Sequence, residues 1–375
     1  MGCNVMRLVP IECVRENSFL GKTIYDEEGR VLLQKGTKLT RTIIEKIMAI
    51  KIFSLYIDDF YTEEEIEEII RPEIRNKSTS VIKETFSSIE RIYTKKDLGP
   101  ASYWKRKNKV YFSAIFKVAQ ELLDEILKNN KVLSSLVDIK SMDNYTYEHT
   151  INVAVISIVM GISLKFNREQ LRNIALGALT HDIGKAFIPK EITKKYFKLS
   201  DEEKIVYKQH CRKGYEYLKN NFILPEESML PALEHHEHYD GSGYPRGIKG
   251  QFININSKII AIANCYDELT SDTENSKGIC ANDAIEYIMA QSGKMFDYEL
   301  VNVFSHVIIP YPRGTLVRLS SNEIGIVKYT PPNYPLRPKV KIVKSQDKRR
   351  EGSTIDLIKN LSLVIIQIEY GLYSV

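Results

Sequence analysis

Histidine and aspartate residues that could bind metal ions are concentrated in two short segments of the chain. His181 and Asp182 are adjacent, and His235 and His236 form a second pair farther along. Imidazole nitrogen and carboxylate oxygen are ligands that suit iron, manganese or zinc. The adjacent His–Asp pair can direct one ligand of each kind at a single cation, and the second pair can reach a neighbouring cation. The pattern therefore predicts a site for two neighbouring cations.

Four motifs extend this pattern through the middle of the chain. They are residues 145–150, residues 180–185, His210 with Gly214, and the long segment 235–245. In these motifs the chain resembles the HD-GYP family, which consists of metal-dependent phosphohydrolases that cleave cyclic di-GMP. The resemblance covers roughly residues 110–306. It implies a phosphodiesterase of bacterial second-messenger signalling that opens a cyclic dinucleotide to linear pGpG or GMP.

The resemblance also implies a set of metal ligands centred on Asp182, because the family's aspartate at this position bridges two ions. These ligands are His149, His181, Asp182, His210, His235, His236 and Asn264. They imply two divalent ions at most. Iron or manganese is favoured because sites rich in histidine with a carboxylate admit both readily.

Residues near these ligands are expected to bind and orient the substrate. Lys185 follows the His–Asp pair and is expected to hold a phosphate oxygen, with Asp182 as the other catalytic residue. Glycines after the second pair permit tight turns, so a helix can end there and direct both histidines inward. The resemblance implies nucleotide contacts from Asp240, Gly241, Gly243, Tyr244 and Pro245, with Glu237 and Asp267 as support, Glu237 by orienting a histidine.

Part of the family pattern is missing from this chain. Asn264 stands where relatives carry an aspartate ligand, and an amide oxygen brings no negative charge to the first ion. Thr273, Glu274 and Asn275 replace an Arg-Pro-Tyr triplet, which removes a guanidinium that would grip phosphate. Two alternatives therefore stay open: a catalytically impaired module that binds a nucleotide or a protein partner, and a phosphohydrolase for another nucleotide.

The elements that must position these residues are predicted to be mainly α-helical. An all-α HD-type domain is expected over residues 110–308, between small β-containing units at 1–60 and 309–375, with a charged helical linker at 61–109. Ser200 and Glu203 form a capping box that starts a helix carrying His210. Pro310 and Pro312 mark the last boundary.

Composition excludes several other classes of protein. A net charge of +5 over 375 residues is too small to indicate DNA binding. Five scattered cysteines without a Cys-x-x-Cys pair argue against a disulfide framework or a thiolate zinc site, and they favour a reducing, cytoplasmic compartment. The longest apolar stretch, residues 151–164, is shorter than the ~20 residues of a membrane span, so a buried helix is expected. Protein partners for the end units and a homodimer stay open.

Overall fold

The computed structural model describes residues 5–25, 30–50, 52, 54–59, 69–95, 101–128, 145–193, 195, 198–271, 278–311, 313–331 and 334–369. Within these ranges, helices occupy the middle of the chain and short strands occupy both ends. This arrangement confirms the predicted mainly α fold with small β-containing end units. The altered loop residues Thr273, Glu274 and Asn275 lie outside the described residues.

The helices and strands of the described ranges are numbered here in chain order. The helices are α1 Arg41–Ala49, α2 Pro72–Lys95, α3 Ala101–Lys128, α4 Tyr145–Ser163, α5 Arg168–Thr180, α6 Lys190–Thr193, α7 Asp201–Asn221, α8 Glu226–Glu234, α9 Ile255–Thr270, α10 Ala281–Ala290 and α11 Tyr298–Val307. The strands are β1 Val5–Pro10, β2 Phe19–Leu20, β3 Ile24–Tyr25, β4 Val31–Leu33, β5 Ser54–Asp59, β6 Leu316–Leu319, β7 Ile324–Tyr329, β8 Lys339–Lys344, β9 Thr354–Asp356 and β10 Ile365–Glu369.

Helix α4 lies at the centre of the helical core. Its residues 151–161 are all buried, because this helix is apolar around its whole circumference. It packs against α5, α9, α2 and α11. This is the buried helix that the apolar stretch predicts. Among the described residues, no helix is both long enough and apolar enough to cross a membrane.

Helix α2, which lies within the segment predicted as a linker, is part of the helical core in the structure. Helix α2 buries Ile82, Phe86 and Ile89 in the same core as α4. Helix α3 runs without interruption through the predicted boundary at residue 110. The many charges of this segment suggested a connector, whereas the apolar residues at helical spacing decide which face packs. The helical unit therefore begins by Ile69, which is already in that core.

The two end units have hydrophobic cores of their own. At the N-terminal end, β1, β5 and β2 form one antiparallel sheet, and β3 pairs with β4 in a separate two-stranded antiparallel sheet. At the C-terminal end the strand order is β10-β6-β7-β8-β9, all antiparallel.

Candidate metal centre

The His181–Asp182 pair is positioned by the end of α5. Asn167 and Gln170 form a capping box that starts this helix, and the helix ends at Thr180 with His181 as its C-cap. A short 3-10 turn, Ile183–Phe187, follows directly. The helix end therefore directs the two side chains into the buried centre of the domain, where His181 is 0% and Asp182 is 3% exposed.

Glycine brings His210 next to this pair. A Cβ atom at Gly184 would lie 1.9 Å from the carbonyl oxygen of His210 and 2.8 Å from the backbone nitrogen of Gly214. Only glycine lets the 3-10 turn approach α7 this closely. The contact explains why Gly184 and Gly214 accompany the histidines in the sequence motifs.

The second histidine pair follows the end of α8. The helix ends at Glu234, so His235 is its C-cap and His236 already lies in the next turn. The helix ends at this pair, His235 being its last residue with helical backbone angles, and two adjacent side chains can therefore both reach the centre. Gly243 closes this turn, because a Cβ there would lie 2.2 Å from the backbone nitrogen of His238 and 2.4 Å from the oxygen of His236.

Each carboxylate oxygen of Asp182 faces two histidines. Oδ1 lies 3.6 Å from Nε2 of His210 and 3.6 Å from Nε2 of His235. Oδ2 lies 3.4 Å from Nε2 of His181 and 3.9 Å from Nε2 of His149. The structure thus brings the predicted ligands together in two groups that share Asp182. A carboxylate placed in this way can bridge two cations.

The imidazoles are held in the form that binds metal. The Nδ1 atoms of His181, His210 and His235 donate to the carbonyl oxygens of Ala178, Tyr207 and Pro231, each at 2.7 Å. A histidine that donates through Nδ1 presents the lone pair of Nε2 to an ion.

Burial keeps several of these rings neutral. It lowers the pKa of His210 to about 4 and holds the pKa values of His235 and His236 well below the usual range. The Nε2 atoms of His181 and His236 are buried without a hydrogen-bond partner. Buried polar atoms rarely lack a partner in folded proteins, so these residues fit a bound cation.

Lys185 forms an ion pair with Asp182 at the edge of the site. Its Nζ atom lies 2.5 Å from Oδ2 of Asp182, and its side chain is 22% exposed. Burial alone would raise the pKa of Asp182, but Lys185 and His181 outweigh burial and hold that pKa well below the usual value. Asp182 is therefore an anion at neutral pH.

His149 lies between Asp267 and Asn264. Its Nδ1 contacts Oδ2 of Asp267 at 2.8 Å, and its Nε2 contacts Oδ1 of Asn264 at 2.9 Å. Asn152 donates to the other oxygen of Asp267 at 2.9 Å. Burial lowers the pKa of His149, but the Asp267 carboxylate outweighs burial and the pKa is raised overall. Asp267 thus orients His149, the supporting position expected from the sequence.

Comparison with known proteins identifies the family of this helical unit. Residues 130–300 match the family described as HD domain, and residues 316–370 match a KOW domain associated with HD domain. Residues 130–300 of the helical unit form an HD domain. This result confirms the family resemblance drawn from the motifs, and the second match coincides with the sheet β6–β10.

Several curated relatives of the HD domain are bacterial. The chain is 34% identical over 228 residues to the cyclic di-GMP phosphodiesterase PA4108 of Pseudomonas aeruginosa, which covers 60% of this chain and 55% of the relative. It is 39% identical over 142 residues to the cyclic di-GMP phosphodiesterase response regulator RpfG of Xanthomonas campestris, covering 37% of each. It is 35% identical over 149 residues to the 3'3'-cGAMP-specific phosphodiesterase 1 of Vibrio cholerae, covering 40% and 34% respectively. The matched stretches span about half or less of these relatives' own lengths.

The loop after the second histidine pair forms one wall of the HD-domain site. The ring of Tyr244 stacks on His236 with centroids 4.7 Å apart, and Lys208 lies 4.8 Å from the centroid of Tyr244. Oδ1 of Asp240 accepts a hydrogen bond from the backbone nitrogen of Ser242 at 2.8 Å. Gly241 has a φ of +86°, a conformation that favours glycine. The loop residues expected to bind substrate are therefore ordered beside the metal ligands, together with Pro245.

Glu237 supports the loop rather than a histidine ring. Its buried carboxylate accepts hydrogen bonds from the backbone nitrogens of Arg246 at 2.7 Å and Ile248 at 3.1 Å. The expectation that it orients a histidine is corrected by these contacts. The loop passes back beside His236. Because the Glu237 carboxylate holds two backbone nitrogens of the loop, it fixes the position of the loop there.

Cys211 is a potential metal donor near the site that sequence reasoning missed. Its side chain is fully buried, and its Sγ atom lies 3.5 Å from Nε2 of His210. The donor atoms of Cys211, His210, His235 and His236 lie within 4.8 Å of one another. The scattered cysteines gave no metal-binding pattern. The available signal was the position of Cys211 directly after His210.

Proposed function

We propose that this chain is a metal-dependent phosphodiesterase that hydrolyses cyclic di-GMP to linear pGpG or GMP in bacterial second-messenger signalling. The observation that carries the proposal is Asp182, whose two oxygens face two separate groups of histidines. The names of the curated relatives support a cyclic dinucleotide as the substrate. Since this chain spans only part of those relatives, the activity is proposed from the site.

The ligands would hold one or two divalent ions, with Asp182 shared between the groups. Bound ions of this kind supply a Lewis acid and an activated water for attack on a phosphodiester. Imidazole and carboxylate donors admit iron and manganese. The charge-neutral Asn264 makes the group with His149 and His181 the weaker of the two.

The residues of the chain itself then bind and orient the substrate. Lys185 is partly exposed at the rim, where its ammonium can donate to a phosphoryl oxygen as negative charge develops in the transition state. Lys208 places a second cation on the outer side of Tyr244. The loop that includes Asp240, Gly241, Gly243, Tyr244 and Pro245 limits the space beside His236, so we assign it the contacts to the nucleotide.

Replacement of Asp182 tests the proposal. The measurement is hydrolysis of cyclic di-GMP, followed by chromatography under anaerobic, reducing conditions with Fe²⁺ or Mn²⁺, for the native chain and Asp182→Asn. The variant keeps the size of the side chain and removes its charge, so product formation is expected to fall to the background rate. His306→Gln is the matched control, because His306 bonds to its own helix at the carbonyl oxygen of Asn302. Equal turnover by native protein and Asp182→Asn would refute the proposal.

A catalytically impaired module is the second candidate function. The observation that favours it is the contact of His149 Nε2 with Asn264 Oδ1, because relatives are expected to have a charged ligand at this position. The variant Asn264→Asp separates the two candidates. If the native chain binds cyclic di-GMP without cleaving it and Asn264→Asp cleaves it, the chain is a binding module. If the native chain already cleaves cyclic di-GMP, the enzyme proposal stands. Parallel assays with 3'3'-cGAMP test the alternative of another nucleotide.

We also propose a cytoplasmic location, because the scattered cysteines favour a reducing compartment. A cyclic dinucleotide is the proposed small-molecule partner. Protein partners through the end units, or a second copy of the chain, would connect the HD domain to regulation.

A further inference from the structure

Cys211 is a buried nucleophilic side chain that the proposed reaction does not use. It follows His210 in α7 and is 0% exposed. Adjacent residues in a helix diverge by about 100°, so they seldom point to one site. Here the Sγ of Cys211 and the Nε2 of His210 nevertheless lie 3.5 Å apart. Both therefore border the same small volume beside Asp182.

Two histidine nitrogens on this volume face each other in a way that indicates a cation. Nε2 of His210 lies 3.4 Å from Nε2 of His235. Both rings donate through Nδ1 to backbone carbonyls, so neither Nε2 carries a hydrogen. Two lone pairs at this distance repel each other unless a positive charge lies between them. Oδ1 of Asp182 lies 3.6 Å from each of the two nitrogens and adds a negative charge.

The separations of the donor atoms match those of a tetrahedral ion with a sulfur ligand. A tetrahedral zinc ion with Zn–N of about 2.05 Å and Zn–S of about 2.3 Å holds two nitrogens about 3.3 Å apart and a nitrogen and a sulfur about 3.6 Å apart. The corresponding distances in the structure are 3.4 Å and 3.5 Å. The separation of Sγ from Nε2 of His210 is thus that of two ligands of one ion, and the donor atoms of His235 and His236 lie within 4.8 Å of the sulfur.

We propose that Cys211 is a metal ligand that completes a four-donor site with Asp182, His210 and His235, beside His236, and that its thiolate makes this site selective for zinc over manganese. On binding, the Cys211 thiol loses its proton to solvent and a sulfur–metal bond forms, with no change of oxidation state. Thiolate ligands favour zinc, whereas manganese prefers oxygen donors. The inference goes beyond the proposed phosphodiesterase, since it concerns which ion binds and holds whether or not a dinucleotide is cleaved.

Cobalt substitution tests this ligand directly. Metal-free native protein is titrated with Co²⁺, and the near-ultraviolet thiolate-to-cobalt charge-transfer band is recorded. The native chain and the control Cys13→Ser, whose cysteine lies in the N-terminal unit, are expected to show the band. Cys211→Ser is expected to bind cobalt through its histidines without the band. The affinity of this variant for zinc should fall by at least about 10- to 100-fold, which is the loss seen when a residue that only hydrogen-bonds to a metal ligand is removed. A native protein that binds cobalt without the band, or a band that survives in Cys211→Ser, overturns the proposal.

A second measurement on the native chain covers the case in which Cys211→Ser does not fold. X-ray absorption at the zinc edge of native protein loaded with one zinc ion is expected to show one sulfur neighbour at about 2.3 Å. A zinc shell of nitrogen and oxygen alone would overturn the proposal. Either result is independent of hydrolysis, so failure of this inference is distinguishable from failure of the phosphodiesterase proposal.

Discussion

Asp182 is the residue on which both groups of metal donors depend, because each of its oxygens faces two imidazoles. A buried carboxylate stays charged only where cations or hydrogen-bond donors compensate for lost hydration. Lys185 compensates for Oδ2 through an ion pair. An ion between Asp182, His210 and His235 would compensate for Oδ1. The charge of this one residue thus links metal binding to the folded state.

Asp267 is predicted to control His149 through a hydrogen bond. Asp267→Asn removes one of the two oxygens that accept from His149, Asn152 and the hydroxyl of Ser271. One donor is then unpaired, so the free energy of unfolding should fall by about 1–3 kcal/mol. The affinity for metal or the rate of hydrolysis should fall about 10- to 100-fold, as expected for a carboxylate that orients a liganding histidine.

Chelator competition and chemical denaturation measure these two effects of Asp267→Asn. The matched control is Asp283→Asn on the exposed side of α10, which should change the free energy of unfolding by no more than about 0.5 kcal/mol. Unchanged metal affinity and unchanged turnover in Asp267→Asn would show that His149 does not act as a ligand.

Residue types predict the donors of this site better than they predict the contacts between them. His181, Asp182 and the histidine pair are recognisable in sequence because their adjacency is rare and their chemistry is specific. The position of Cys211 depends on how α7 is rotated against the 3-10 turn, which no local pattern records. The backbone partners of Glu237 likewise depend on the path of a loop. Both features are tertiary, and the structure was needed to find them.

At the scale of elements, the site depends on the close approach of the 3-10 turn Ile183–Phe187 to α7. Gly184→Ala would place a Cβ 1.9 Å from the backbone oxygen of His210, and backbone cannot move aside as a flexible side chain can. The turn and the helix must separate, at a cost of about 1–3 kcal/mol or more. His210 then moves away from Asp182.

Denaturation and cobalt binding measure the effect of Gly184→Ala. The variant should lose stability and bind cobalt more weakly, with a weakened thiolate band if Cys211 moves with His210. Gly352→Ala is an informative comparison, because a Cβ there meets no atom within 4 Å and only its φ of +84° opposes the change. A Gly184→Ala chain with native stability and native cobalt affinity would contradict this account of the approach.

Several elements are predictable because their ends carry local chemistry. Ser200 and Glu203 cap α7 as the sequence predicts, and Asn167 and Gln170 form the same kind of cap at the start of α5. The predicted boundary at residue 110 falls inside α3, and this has a physical reason. The charged residues of α2 and α3 lie on the faces exposed to solvent. Packing is decided by the apolar residues on the other face of each helix, such as Ile82 in α2 and Ile115 in α3, which belong to one core.

At the scale of the whole molecule, the C-terminal sheet has its own core and supplies none of the described metal donors. A chain that ends at Pro310 is therefore predicted to keep the HD domain folded and able to bind metal. Its thermal midpoint should change by no more than about 4 °C, the shift that roughly 1 kcal/mol produces in a domain of this size. Calorimetry with and without Co²⁺ measures this, and loss of cooperative unfolding or of cobalt binding would show that the sheet is required.

We propose that this chain hydrolyses a phosphodiester with the help of ions that the residues around Asp182 would hold, and metal removal with reconstitution tests this most directly. Native protein is stripped with a chelator, then reloaded anaerobically with Mn²⁺, Fe²⁺ or Zn²⁺, and the cleavage of cyclic di-GMP is followed by chromatography at each step. We expect product formation to stop in the stripped protein and to return on reloading, while Asp182→Asn stays at background throughout. Undiminished cleavage by the stripped protein would contradict the claim, as would absence of cleavage in folded protein that has taken up metal.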